Sequence, residues 1–405
     1  MNKFNDKVVN KLFLMLTGSI KPGQIDNNIE SFINSSYQEV TQFPFSNKQS
    51  NENINRRQII DKIITTAKNN LDTDTYSRFL LGVANTLAES ELIHLAEEIL
   101  ITSLGDVKKD YYYAESLLAL ADIYIRKAYW INSLSLIKQA KEIFARINNV
   151  NGMARCENLT GILYGEKGDL IKSRAHFNTS KNLLDHDSDK KFIAQIESNM
   201  AIIENIIGNF IKAEKYFNEA LINFEILNDL KNLADTRHNL GMFYFERKEY
   251  SKALIEFEKS IEIGLKENYP SILAISYIAM ANTFLALKKY DKASEYAYMA
   301  MDTAIKIDDK LTIADVYRIL GILGKKSHRF DIAESYFQTS IRLNDELDNK
   351  LNSAEASLEL GLLFLECGQE SEKNHWLQKS LKYYSGVGAV DKVKLIGKFL
   401  NQHMN

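Results

Sequence analysis

Cys156 and His176 come nearest, in this chain, to a nucleophile and its base. A thiolate attacks when an imidazole can take its proton, and the spacing sets the two one helix apart. A thiol within a repeating helix packs like a small apolar residue, and that is the plainer reading of Cys156. The histidines stand at 94, 176, 186, 238, 328, 375 and 403. No two form the H-E-x-x-H spacing of a zinc helix, and none pairs with a cysteine at metal spacing. "GILGKKS" (321–327) has two residues between its glycines, where a phosphate-cradling loop needs four and a strand before it. "SGVGA" (385–389) also lacks a strand and reads as a loop. Paired carboxylates such as Glu97 and Glu98 fall on solvated helix faces. The sequence therefore predicts no catalytic residues, no metal and no cofactor, and a chain that is not an enzyme.

The elements that carry these residues are helices. The chain has 405 residues, 45% of them hydrophobic, with only 3 prolines and 18 glycines. Strands and their turns consume both breakers, so their scarcity points to helix nearly throughout. The formal charge of −3 offers no concentrated basic face for nucleic acid. Two distant cysteines exclude a disulfide scaffold and fit reduced thiols in the cytoplasm. The apolar run "LFLML" (12–16) follows lysines, but it is short, has Asp6 before it and no cleavage pattern after it, so export is not expected. No apolar stretch approaches the ~18 residues of a membrane helix.

The organisation is repetitive. Stepping by 40 from Gly241 meets Ala121, Gly161, Ala201, Ala281, Gly321 and Gly361, all small. With such residues near one in seven, chance gives this column on the order of once in a million. Nine positions on stand Trp130, Leu170, Phe210, Tyr250, Tyr290 and Phe330. Twelve on stand Ala213, Ala253, Ala293 and Ala333; sixteen on stand Ile137, Phe177, Phe217, Phe257, Ala297, Phe337 and Leu377. Asp and Asn punctuate the same period ("LND" at 227, "IDD" at 307, "LDN" at 347) and suit helix ends and caps. Each unit reads as two helices, for example 233–247 and 251–266. One pair cannot bury both apolar faces, whereas stacked copies can.

Leu240, Gly241, Tyr244, Ala253 and Phe257, and again Leu320, Gly321, Ala333 and Phe337, resemble the tetratricopeptide repeat signature over residues 75–388. The unit is 40 residues instead of 34, and the proline that usually ends the second helix is missing. The resemblance is to the long-repeat branch, with the LGN-like, kinesin-light-chain-like and Rap- and PlcR-type pheromone-receptor proteins. It implies an all-α fold: a right-handed α-solenoid of about eight helix-turn-helix repeats.

The resemblance also implies that first helices line an inner, concave face. The positions that point there carry Arg155, Asn158, Gln195, Asn199, Asn205, Asp235, His238, Asn239, Glu246, Asn282, Asp315, Arg318 and Lys325, with Arg78, Asn85, Asp122 and Arg126 further N-terminal. Asn158, Asn199 and Asn239 hold nearly equivalent places. An Asn side chain both donates and accepts, so it can hold a peptide amide whatever the peptide's side chains. The mixed charges do not assemble the Lys, Arg and Asn clamp that takes acidic chaperone tails.

Three segments follow: 1–72, an N-terminal helical bundle or cap with a linker; 73–389, the solenoid; and 390–405, a closing helix (390–403) with Val390, Val393, Ile396, Phe399 and Leu400 on its apolar face. Helices are expected at 6–16, 26–42 and 54–70, with "QFPFSNKQSNEN" (42–53) as linker. The functional expectation is a scaffold binding a peptide or partner-protein segment, without nucleic acid or membrane. The alternative is a bacterial peptide-sensing regulator of the Rap or PlcR type with the N-terminal helices as effector module.

Overall fold

The computed structural model describes residues 4–20, 49–90, 92–106 and 109–401. Among them there are nineteen helices and no strand. Two helices precede the repeats, α1 (Phe4–Ser19) and α2 (Gln49–Asn70). Eight consecutive pairs follow in the order of the chain: α3 (Thr73–Glu89) and α4 (Ile93–Asp106), α5 (Asp110–Arg126) and α6 (Trp130–Arg146), α7 (Val150–Glu166) and α8 (Leu170–Asn182), α9 (Lys190–Ile207) and α10 (Phe210–Ile226). The series goes on with α11 (Leu230–Glu246) and α12 (Tyr250–Lys266), α13 (Pro270–Ala286) and α14 (Tyr290–Ile307), α15 (Lys310–Lys326) and α16 (Phe330–Glu346), α17 (Lys350–Cys367) and α18 (Glu370–Gly386); α19 (Val390–Leu400) ends it. The chain falls into two compact units, Met1–Ile203 and Glu204–Asn405, with the boundary inside α9.

One turn design sets the period. φ is positive at Ala128, Asn148, Gly168, Gly208, Asn228, Lys248, Asn268, Lys288, Asp308, His328, Asp348, Gly368 and Gly388, one left-handed residue every twenty positions with only 188 passed over. At the turn after α11, the Lys248 N–H donates to the Phe245 carbonyl and the Glu249 N–H to the Tyr244 carbonyl, both at 2.9 Å. This is the closing pattern that satisfies the last free carbonyls of a helix. Glu249 is at the same time the N-cap of α12. A helix of 17 residues plus a three-residue turn fills each half of the 40-residue unit. Caps supply the Asp/Asn punctuation seen in the sequence: Asn149, Asp229, Asp309 and Asn349 each accept an N–H from the residue three further on. Position 188 differs because the Asp185 carboxylate takes over the turn, accepting from the backbone N–H groups of Asp187 at 3.1 Å and Ser188 at 2.9 Å. The preceding α8 is accordingly shortened to 13 residues.

Packing explains the small column. In the first unit, a Cβ on Gly161 would come within 2.7 Å of the Phe177 ring; in the second, one on Gly241 or Gly321 would come within 2.5 or 2.6 Å of Phe257 or Phe337. Gly therefore lets the second helix seat its aromatic residue against the first. Phe337 also joins Ala356 and Leu360 of the next repeat, so a single ring fills both gaps. A further column, seven positions before the small one, is alanine in the second to eighth repeats: Ala114, Ala154, Ala194, Ala234, Ala274, Ala314 and Ala354, all buried. Its carbonyls accept from buried serines of the second helix, Ser180 to Ala154 at 2.6 Å and Ser260 to Ala234 at 2.9 Å.

In the first unit one core cluster joins Leu12 and Leu16 of α1, Ile60 and Ile63 of α2, and Phe79, Val83 and Leu87 of α3. The helix expected at 54–70 starts five residues earlier, at Gln49, inside what reads as linker. Its first turn is polar and leaves no apolar period in the sequence. The helix expected at 26–42 lies outside the described residues. Ile396 of α19 is fully buried and packs with Ala354, Leu358, Leu377 and Tyr384, closing the second unit's core.

Candidate functional site

First helices of neighbouring repeats touch: α5 with α7 in the first unit, and α11 with α13, α13 with α15 and α15 with α17 in the second. Residues in the same column of successive first helices therefore meet. In the first unit the Arg155 guanidinium binds the buried Glu115 carboxylate, with Nη1 2.6 Å from Oε2. Asn199 Nδ2 approaches Asn158 Oδ1 at 3.4 Å. Gln195 is half-buried in the same column as Arg155. Arg126 pairs with Asp122 at 3.1 Å one turn back, while Arg78 and Asn85 lie exposed on α3.

In the second unit, Asn205 Nδ2 donates to Glu246 Oε2 at 2.8 Å. Asn352 Nδ2 donates to Asp315 at 2.9 Å, and buried Lys325 reaches Glu359 at 2.8 Å. Arg318 stands 3.9 Å from Glu355, and its Nε is enclosed without a hydrogen-bond partner. Asp235 accepts from the Tyr269 hydroxyl at 3.4 Å, and Lys231 lies over the Tyr269 ring. His238 Nδ1 is 3.0 Å from Ser276 Oγ, and its ring sits beside Phe257 with centroids 5.6 Å apart. Asn239 and Asn282 are half-buried and have no partner among the described residues.

Burial sets the electrostatics of this face. It pushes Asp315 up to about 6, with Arg318 opposing and Glu355 adding to the rise. It raises Asp235 as well, against the hydrogen bond from Tyr269 and the charge of Lys231. It holds His238 down to about 4, so the imidazole is neutral at pH 7. Glu115, Asn352, Glu355 and Glu359 escaped the sequence reading. Three of them occupy columns already named, and extending those columns to the terminal repeats would have found them.

Cys156 is fully buried, and desolvation pushes its thiol up to about 12, the opposite of what a nucleophile needs. His176 does not serve it: Nδ1 binds Glu157 Oε2 at 2.7 Å, and the ring stacks on Tyr164 at 5.4 Å. Among the described residues no three His, Cys, Asp or Glu side chains converge as metal ligands, and no helix is long and apolar enough to cross a membrane.

Residues 192–266 match the tetratricopeptide repeat family. Response regulator aspartate phosphatase I of Bacillus subtilis (strain 168) is 27% identical over 126 residues, which are 31% of this chain. The match spans 32% of that relative, about a third of its length. The apo form of the quorum sensor NprR from B. thuringiensis superposes with a TM-score of 0.59 at 14% identity, covering 87% of this chain and 96% of that one. The Rap conjugation gene regulator of the plasmid pLS20, solved in complex with the Phr* peptide, superposes with a TM-score of 0.57 at 17% identity, covering 92% of this chain and 98% of that one. At such identities the likeness establishes the fold, a series of stacked helix pairs like theirs, and the family match itself is confined to residues 192–266.

Proposed function

We propose that this array of tetratricopeptide repeats is a non-enzymatic scaffold that takes an extended peptide or partner-protein segment along its first helices. The observation that carries the reading is a set of half-buried side-chain amides on those helices with hydrogen-bonding capacity to spare: Asn158 and Asn199 in the first unit, Asn239 and Asn282 in the second. An amide that both donates and accepts fixes the register of a peptide main chain. Arg155, Gln195, Asn205 and Asp235 lie beside them on α7, α9 and α11, and Asp315, Arg318 and Lys325 continue the face on α15. Arg155, Asn205, Asp235, Asp315, Arg318 and Lys325 each reach a residue at or on the neighbouring first helix. The chain works in the cytoplasm, apart from nucleic acid and membrane.

A second reading is favoured by the pLS20 regulator, which is solved with a peptide, and by the aspartate phosphatase relative. In it the protein is a bacterial peptide-sensing regulator of the Rap or PlcR type. Residues 1–72 are its effector module, 73–389 its repeats and 390–405 a closing cap. The packing of Leu12, Leu16, Ile60 and Ile63 on α3 gives that module a route by which first-repeat movements reach it.

The test is affinity selection from a synthetic library of short peptides, read by mass spectrometry. The wild type should retain a defined sequence class, and Asn158→Ala/Asn199→Ala and Asn239→Ala/Asn282→Ala variants should each lose at least part of it. Equal retention by all three proteins would overturn the assignment of this face.

A further inference from the structure

We propose that His238 is locked as its Nδ1–H tautomer and offers the bare Nε2 lone pair, on the first-helix face, to a main-chain N–H of an extended peptide. This rests on the peptide-binding reading and adds which residue takes a donor and from which atom.

The lock follows from counting protons along one buried chain of hydrogen bonds. Ser260 Oγ lies 2.9 Å from the Ala234 carbonyl, which has no proton to give, so Ser260 donates there. Ser260 and Ser276 hydroxyls are 3.2 Å apart. The single Ser260 proton is already used, so Ser276 is the donor of that contact. Ser276 Oγ in turn lies 3.0 Å from His238 Nδ1. With the Ser276 proton committed to Ser260, His238 must donate from Nδ1. Both serines are fully buried, so water does not compete for these protons. The ring nitrogen that carries the proton is set by the bond its other nitrogen makes.

Nε2 is then an acceptor. It makes no hydrogen bond to a described residue, it is not among the fully enclosed polar atoms, and the residue as a whole is half-buried. Burial of the ring keeps it uncharged at neutral pH. Asp235, three positions earlier on α11, presents a second acceptor on the same side of the helix. Two acceptors one turn apart suit a ligand carrying successive outward N–H groups, which an extended strand offers about 7 Å apart. A carboxylate or phosphate oxygen approaching Nε2 finds no proton, so the same arrangement turns such groups away. The relay is particular to this repeat. Serines at the two linking positions coincide only at 260 and 276; the corresponding pairs are Ala140 with Cys156, Ser180 with Ile196, Ala220 with Thr236, Ala300 with Val316 and Ser340 with Ala356.

The test uses the full chain labelled with 15N-histidine and long-range proton–nitrogen correlation spectra at pH 7, with His238→Gln to assign the resonance. The ligand-free wild type should show the neutral Nδ1–H pattern. Ser276→Ala, a small change at a buried site, should release the lock and shift the population toward Nε2–H. N-methylacetamide, a peptide-bond surrogate, should move the Nε2 resonance, whereas N,N-dimethylacetamide, which lacks the N–H, should leave it in place. An Nε2–H or doubly protonated ring in the wild type would overturn the lock, and an equal response to both amides would overturn the acceptor role. The tautomer is read without ligand, so it stands or falls separately from the library selection.

Discussion

The Phe257 ring occupies the space where a side chain on Gly241 would project: a Cβ there would come within 2.5 Å of it. The contact is between α11 and α12 of one repeat, and both residues are buried, Phe257 fully. Gly241→Ala should therefore strain the repeat and lower the urea midpoint, at a cost of about 1–3 kcal/mol. Adding Phe257→Leu should recover part of that loss, because the smaller side chain vacates the space. Additive losses in the double variant would show that the two residues do not compete for one volume.

Lys248 holds the left-handed turn between the same two helices at φ 61° although it has a Cβ. That conformation costs a non-glycine residue roughly 1–2 kcal/mol. Lys248→Gly should stabilise the chain by about 1 kcal/mol in urea titration, since its exposed side chain contributes little else. The same change at Ser251, inside α12, should destabilise it by a few tenths of a kcal/mol or more.

Asp315 should make stability depend on pH. Its carboxyl is pushed up to about 6 from an ordinary 3.8, so the folded chain binds that proton more tightly than the unfolded one. The stabilisation is complete below about 4 and is lost as pH rises through about 6. Each unit of the rise is worth about 1.4 kcal/mol, which puts the effect on the order of 3 kcal/mol. Asp315→Asn retains an acceptor for Asn352 and should flatten the wild-type curve between pH 4 and 7. Parallel curves for the two proteins would assign the dependence to other groups.

The two thiols should differ in reactivity. Cys156 is sealed in α7, whereas Cys367 is half-exposed at the end of α17. Mass spectrometry after brief iodoacetamide treatment of the native chain should find label on Cys367 first, with Cys156 reacting only after unfolding. Early labelling of Cys156 would mean that the first unit opens locally far more readily than its packing implies.

The period, the small column and the aromatic column were legible because each answers a steric demand that few residue types meet. Gly161, Gly241 and Gly321 announce the close approach that Phe177, Phe257 and Phe337 require. The alanine column at 114, 154 and onward was equally present in the sequence but passed unnoticed, because a helix tolerates alanine anywhere and no single one stands out. The candidate site was legible as a set of positions and not as a set of bonds. Whether Arg155 faces solvent or Glu115, and whether Lys325 is free or held by Glu359, depends on the separation of adjacent first helices, which spacing along the chain does not encode. The start of α2 was hidden for a related reason: a polar first turn carries no periodic signal.

The twenty-residue turn interval makes this chain a molecular ruler. Inserting one residue within a helix would rotate everything beyond it by about 100°, carrying buried faces into water, so length can change only in blocks that restore the phase. Duplication of whole hairpins satisfies that condition, and a single added residue does not. The segment 183–189 breaks the count, because its turn is tied by Asp185 and needs no left-handed residue. It is there that new length can be accommodated without disturbing the phase of its neighbours.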